Sequence, residues 1–136
     1  MINPIVHSKT RELADKYKVE PYVIAADVYG ASNLAGTGGW TWYTGSSSWY
    51  YICAIKHILG LKIEEGMLSI EPCISSEWSD YEIKYKFGDS IYNIKVKNPG
   101  RKSFGVQKFY FNGSEVISKE IKLVDDGKVN EIEIIM

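Results

Sequence analysis

The sequence predicts an α+β protein, in which a few N-terminal helices are followed by an antiparallel, jelly-roll-like β-sandwich. The spacing of apolar residues changes near residue 60, from the period of about 3.6 typical of helices to the period of 2 typical of strands. Short alternating segments then recur with Gly, Asn and Asp between them, as in a sandwich. We therefore predict two domains, with helices in residues 1–62 and a β-sandwich in residues 63–136.

Two helices are predicted before residue 30. The first runs from Thr10 to about Tyr17, with Ser8 or Thr10 as its N-cap. The second begins near Pro21, since proline is tolerated in a first turn, and its apolar residues continue to Tyr29. Together they offer one polar helix and one that is largely apolar.

A third helix is predicted from about Gly45 to Leu59. It is apolar on nearly every side, and Gly60 follows where a left-handed cap is expected. A helix of this kind is normally buried within a large structure. The two preceding helices are too few to surround it, so we expect partner helices from outside this sequence and interpret the chain as a fragment.

The second half of the chain predicts short strands, beginning with Met67–Ile70. Three hairpins are expected from alternating segments that flank turn residues. The predicted pairs are Tyr81–Phe87 with Ser90–Val96, Phe109–Phe111 with Ser114–Ile117, and Ile121–Val124 with Glu131–Ile135.

Composition excludes several functional classes. Of the 136 residues, 45% are hydrophobic and 24% charged, and the net charge of −1 argues against binding to nucleic acid or an anionic membrane. No apolar run reaches the roughly 18 residues of a membrane span, and no signal peptide is apparent, which favours a cytoplasmic location. Cys53 and Cys73 lie in apparent core segments and are predicted to be structural thiols, and we expect neither a metal nor a cofactor.

A glycine- and hydroxyl-rich loop leads directly into the third helix. Its sequence is Gly36-Thr-Gly-Gly-Trp-Thr-Trp-Tyr-Thr-Gly-Ser-Ser-Ser48. The first N–H groups of a helix have no partner within it and lie at the positive end of its dipole. Because small residues allow close approach, Thr44 and Gly45 are candidate ligands of an anion such as phosphate.

The same segment carries a family resemblance. The run Gly38-Gly-Trp-Thr-Trp-Tyr-Thr-Gly-Ser46, preceded by Tyr17-Lys-Val-Glu-Pro-Tyr-Val23, closely resembles the C-terminal part of the cellobiose/chitobiose phosphorylase family. The resemblance continues through Leu68-Ser-Ile-Glu-Pro-Cys-Ile74 and weakens after about Pro99. It therefore covers most of the chain. Related modules form the C-terminal end of the cyclic β-1,2-glucan synthases.

The resemblance implies both an architecture and a reaction. Members of the family are inverting phosphorylases that cleave β-glucosides with inorganic phosphate, and their active site lies in a barrel of paired helices. Residues 1–62 would then be the last helices of that α/α barrel, and residues 63–136 the C-terminal sandwich. By this resemblance, Thr44 and Gly45 match a pair of residues that contacts phosphate in the family, whereas the family's general acid has no counterpart in this chain. The implied partners are inorganic phosphate, a β-linked gluco-oligosaccharide and the missing upstream barrel.

Simpler interpretations stay open for these residues. Thr44 could act only as a helix cap. Trp40, Trp42 and Tyr43 could line a sugar-binding rim or could pack beneath the helix.

Other candidate side chains give weaker signals. Glu20 and Asp27 would share a helical face if one helix contained both, but a structural role for Asp27 is the better reading. His57 is expected to pack or to interact with the helix dipole, and His7 could be exposed. No catalytic residue is assigned to the chain.

Two other classes of function remain as alternatives. The chain could be a noncatalytic module that binds carbohydrate or protein, for which exposed aromatic residues on a strand face, such as Tyr81, Tyr85 or Tyr92, would be evidence. It could also be one subunit of a split enzyme or cyclic glucan synthase. In any of these cases, if no partner covers the apolar third helix, we expect the chain to self-associate or to hide Trp49 and Ile52 by rearrangement.

Overall fold

The computed structural model describes residues 3–42 and 44–136. The chain divides into two compact units, Met1–Ile52 and Cys53–Met136. The predicted domain boundary after residue 62 stays a prediction. Within the described ranges, no helix is long and apolar enough to cross a membrane.

The first unit contains three helices. They are α1 (Pro4–His7), α2 (Arg11–Tyr17) and α3 (Thr44–Cys53), the last of which ends at the first residue of the second unit. The hydroxyl oxygen of Thr10 accepts a hydrogen bond from the Leu13 amide at 3.3 Å, so the predicted first helix and its cap are confirmed.

The predicted second helix is wrong. Residues 21–29 are not helical; instead residues 26–29 face residues 36–40 in an antiparallel arrangement with an isolated bridge between Val28 and Gly38. The amide of Ala26 donates to the Trp40 carbonyl at 2.6 Å, and that of Tyr29 donates to the Thr37 carbonyl at 2.9 Å. Pairing with a distant segment therefore satisfies the backbone groups that a helix would have satisfied locally.

The predicted third helix is confirmed, with a change of type near its end. α3 begins at Thr44, and a π-helical segment, Ala54–Ile58, follows it. The amide of Leu59 donates to the Ala54 carbonyl at 2.8 Å, which is the i→i−5 bond of a π-helix.

The second unit contains eight strands in two sheets. The orders are β1-β2-β7 and β3-β4-β8-β5-β6. The strands are β1 (Leu61–Glu64), β2 (Met67–Ile70), β3 (Asp80–Phe87), β4 (Ser90–Lys97), β5 (Lys108–Phe111), β6 (Ser114–Glu115), β7 (Glu120–Lys122) and β8 (Val129–Ile135).

Two of the three predicted hairpins are confirmed. β3 pairs with β4 and β5 pairs with β6, both antiparallel. The third is wrong, because β7 pairs with β2, whereas β8 lies between β4 and β5. Since β8 runs parallel to β4, the prediction of a wholly antiparallel sandwich is also corrected.

The segment that connects β7 to β8 explains why β8 runs parallel to β4. The fully buried hydroxyl of Ser90 accepts hydrogen bonds from the amides of Asp126 and Gly127, at 2.8 and 3.0 Å. The Tyr92 hydroxyl accepts from the Val124 amide at 2.8 Å and donates to its carbonyl at 3.0 Å. These bonds hold the connection beside the start of β4, so that β8 enters the sheet there instead of turning back on β7.

One hydrophobic core serves both sheets of the second unit. It joins Leu68 and Ile121 of the smaller sheet to Ile94, Phe109 and Ile134 of the larger one. The unit is therefore sandwich-like, and the chain as a whole is α+β.

Neither cysteine fits the prediction of a core thiol. Cys53 and Cys73 are both free and exposed. Cys53 ends a helix whose apolar faces are largely uncovered, and Cys73 lies on an irregular segment after β2, where its neighbours Pro72 and Ile74 are the buried residues.

Candidate functional site

The glycine-rich loop is held by backbone hydrogen bonds on two sides. The amide of Gly38 donates to the carbonyl of Tyr17 at the end of α2, and that of Gly39 donates to the Asp27 carbonyl, both at 2.8 Å. The Thr37 hydroxyl donates to the Lys16 carbonyl at 3.3 Å. The loop that precedes α3 is thus fixed by α2 and by the segment around Asp27. Sequence reasoning missed the second of these supports, although the β-branched residues near Val28 were a signal for extended backbone.

The glycines of the loop have different roles. A Cβ atom on Gly38 would lie 2.4 Å from a methyl carbon of Val19, and one on Gly39 would lie 1.7 Å from a carboxylate oxygen of Asp27. Both glycines are therefore required by packing. Around Gly45, in contrast, a Cβ atom would meet nothing within 4 Å, so no neighbouring protein atom requires a glycine there.

The start of α3 presents backbone donors next to this open space. Thr44 is the first residue of the helix and Gly45, which is exposed, is the second. Amides in the first turn of a helix lack carbonyl partners within it and carry its positive dipole end. The backbone at Thr44 and Gly45 thus offers N–H donors in the first turn of a helix.

Two aromatic side chains precede this helix and are largely in solvent. Trp40 is 73% exposed and Trp42 is 66% exposed, so neither is packed beneath the helix in the described part of the chain. The backbone of Trp42 has a φ of 62°, which is unusual for a bulky residue and costs on the order of 1–3 kcal/mol. Tyr43, the third predicted rim residue, lies outside the described residues.

The structure does not place the predicted pair of carboxylates on one helical face. Because residues 21–29 are not helical, Glu20 and Asp27 do not share a helical face. The carboxylate of Asp27 lies against the backbone of Gly39, which is consistent with a structural role.

The histidines and metal-binding residues add no second site. His7 stacks on Tyr17 with 4.6 Å between ring centroids, and His57 is exposed on the π-helical segment. Burial raises the pKa of Tyr17, which keeps this packed residue neutral. Among the described residues, no group of three or more acidic, histidine or cysteine side chains could hold a metal ion.

The tyrosines that would support a noncatalytic binding module face the core. Tyr92 is buried, and Tyr81 and Tyr85 are half-buried against the core of the second unit. The Tyr81 hydroxyl donates to the Leu59 carbonyl at 2.5 Å, and its burial raises its pKa. These three side chains do not form an exposed aromatic platform.

The candidate site lies within a region that matches a known protein family. Residues 1–60 match the family described as the glycosyl hydrolase 94 superfamily, catalytic domain. The match contains every residue of the candidate site and ends just before β1.

Characterised relatives cover most of this chain. A cyclic beta-(1,2)-glucan synthase, NdvB, from Rhizobium meliloti is 42% identical over 74% of it, and an N,N'-diacetylchitobiose phosphorylase from Vibrio proteolyticus is 29% identical over 92%. A solabiose phosphorylase from Paenibacillus borealis is 24% identical over 90%. The chain spans only 4% of the length of the synthase and 16% of the length of each phosphorylase.

The family match and the relatives agree with the resemblance carried by the Trp-Thr-Trp-Tyr-Thr-Gly-Ser segment. The chain therefore belongs to the glycosyl hydrolase 94 superfamily.

Proposed function

We propose that this chain forms part of a carbohydrate phosphorylase and that the start of α3 holds the attacking inorganic phosphate. The observation that carries the proposal is Gly45, which stands at the second position of the helix with open space where a side chain would be. Gly45 is also exposed and has no side chain, so it leaves this first turn of the helix open to an anion. The names of the phosphorylase relatives support phosphate as the anion.

Neutral backbone donors suit a phosphate that acts as a nucleophile. They orient the anion by hydrogen bonds and the helix dipole while leaving one of its oxygens available for attack. In the proposed reaction that oxygen forms a bond to the anomeric carbon of a β-glucoside. The glycosidic C–O bond breaks on the opposite face, and the departing sugar oxygen takes a proton from a general acid.

We place that general acid outside these 136 residues. The resemblance has no counterpart of it here, and Glu20 and Asp27 are not arranged on one helix. On this proposal the chain alone binds phosphate but does not cleave cellobiose, chitobiose or β-1,2-gluco-oligosaccharides. Robust turnover that survives repurification and is abolished by Asp27→Asn would overturn it.

Trp40 and Trp42 are proposed to form a rim for the sugar. Their indole rings are exposed immediately before the phosphate-binding turn, and aromatic faces pack well against the C–H surface of a pyranose. The strained backbone of Trp42 supports a role for this conformation beyond packing.

A partner is proposed for the apolar surface of α3. Trp49, Tyr51 and Ile52 are exposed on this helix, although large apolar patches are seldom left in water. We propose that upstream barrel helices cover it in the complete enzyme and that copies of the chain cover it for one another when those helices are absent.

Phosphate titration followed by amide NMR tests the site directly. Inorganic phosphate is expected to shift the amide resonances of Gly45 and Ser46, and Thr44→Val should weaken binding about tenfold, since a lost hydrogen bond to a charged group costs roughly 1.5–3 kcal/mol. Thr10→Val is the matched control, because it removes a hydroxyl at the start of α2 instead.

The outcome separates a phosphate site from a simple cap. If Thr44→Val destabilises α3 but phosphate shifts no amide near Gly45 in the unmodified chain, the residue acts only as a cap. Equal weakening by both substitutions would show that the effect comes from general destabilisation of the helices.

A further inference from the structure

We propose that the second unit carries a separate binding site for a neutral oligosaccharide, in a cleft between the end of β2 and the segment before β5. The cleft has a volume of about 530 Å³, within the range of small-molecule sites. All of its lining residues lie between Ser69 and Glu120, so it is independent of the loop at Thr44.

The cleft arises where one strand changes its neighbour. Ser69 of β2 is paired with Glu120 of β7, but beyond β2 the chain approaches a different segment, through a bridge between Cys73 and Phe104. The amide of Ile74 also donates to the Ser103 carbonyl at 2.9 Å. The gap that opens between the two partners is therefore fixed by backbone hydrogen bonds on both sides.

An exposed aromatic ring lies at this gap. Phe104 is 74% exposed, although its backbone is held by an isolated bridge. Its backbone makes the bridge to Cys73, so its side chain is not needed to fill the core. An exposed phenyl ring beside a polar cleft offers an apolar face for the C–H surface of a sugar ring.

The polar groups of the cleft favour a neutral ligand that donates hydrogen bonds. Glu71 and Glu120 line it, and carboxylates accept hydrogen bonds from hydroxyl groups. The Glu71 carboxylate pairs with Lys62, and the Lys119 ammonium group, which also lines the cleft, donates to the neutral Val106 carbonyl at 2.5 Å and keeps its positive charge. The charges around the cleft therefore nearly balance. An anionic ligand would lose hydration there without meeting a net opposite charge, whereas a neutral saccharide would not.

Cys73 provides a built-in probe of occupancy. It lines the cleft and is exposed, whereas the second exposed thiol, Cys53, is not among the lining residues. A ligand in the cleft should therefore slow alkylation of Cys73 and leave Cys53 unchanged.

The experiment measures iodoacetamide alkylation of each thiol by mass spectrometry while cellotetraose is added. At a concentration about ten times the dissociation constant, alkylation of Cys73 should slow about tenfold, because only the unoccupied fraction reacts. Phosphate is omitted, so the result does not depend on the phosphate site. Chitotetraose and an oligogalacturonate of the same length are compared, and only the neutral sugars should protect.

Two substitutions should reduce the protection without unfolding the unit. Phe104→Ala should abolish it, whereas Glu120→Gln should weaken it, because the amide oxygen of glutamine still accepts a hydrogen bond. Phe104→Ala removes an exposed ring, and Glu120→Gln removes a charge from the cleft wall; Glu115→Gln, on β6 away from the cleft, is the matched control. Equal protection of both thiols, no protection by either neutral sugar, or protection that survives Phe104→Ala would overturn the proposal.

Discussion

The two units of this chain differ in how far they can bury their own apolar residues. The second unit encloses thirteen buried hydrophobic residues in one core, shared by its two sheets. In the first unit the buried hydrophobic residues of the described chain are Tyr17, Val23, Ile24 and Ala25, while α3 exposes most of its aromatic side chains. The sheets of the second unit therefore bury their own apolar side chains, whereas α3 leaves large apolar side chains exposed.

The largest expected effect is a loss of stability caused by a substitution in the core of the second unit. Phe109 is fully buried, and Phe109→Ala should lower the free energy of unfolding by about 3–5 kcal/mol, because it removes packed apolar atoms and leaves a cavity. Hydrogen exchange of the β8 amides in increasing urea measures the loss. Tyr22→Ala, in the first unit at a 75% exposed position, should change it by less than about 0.5 kcal/mol. Comparable losses in both variants would contradict the difference between the units.

The next effect tests the uncovered surface of α3. The chain should self-associate through this helix, and Trp49→Gln should weaken association by about 2 kcal/mol, or roughly thirtyfold, because Trp49 is a large exposed anchor. Light scattering over a concentration series gives the dissociation constant. Ile117→Gln changes an even more exposed apolar residue of the second unit and should leave association unchanged. A monomer with native packing at all concentrations would contradict the prediction.

The smallest effect concerns pH and is confined to the second unit. The side-chain ammonium and backbone amide of Lys128 hold the pKa of Asp126 below its ordinary value. The resulting stabilisation is present above the unfolded-state pKa and is lost as the pH falls through the lower, folded-state pKa. The protection factors of the β8 amides, which are corrected for the pH dependence of intrinsic exchange, should therefore fall in acid, and Asp126→Asn should flatten this dependence.

Ser90→Ala is a second test of the same interaction. It removes the hydroxyl that accepts from the Asp126 and Gly127 amides and that donates to the Asp126 carboxylate at 3.2 Å. Protection of the β8 amides should then be lower at every pH and its pH dependence smaller, because the Ser90 hydroxyl also lowers the pKa of Asp126. A pH dependence unchanged by Asp126→Asn would assign the acid sensitivity to another group.

By itself, the sequence determined the features that depend on neighbouring residues. The Thr10 cap, the start of the third helix near Gly45, and the hairpins at Gly88 and Asn112 all follow from local preferences of a few adjacent positions. The motif around Thr44, together with the blocks before and after it, also indicated the family to which the chain belongs.

Only the tertiary structure decided which distant segments pair. Residues 21–29 are not the predicted helix, since residues 36–40 supply backbone partners to residues 26–29. β8 lies parallel to β4 because Ser90 and Tyr92 hold the preceding connection. Likewise, packing against Val19 and Asp27 distinguishes Gly38 and Gly39 from Gly45. Such choices depend on contacts between residues far apart in the chain, which propensity and periodicity do not encode.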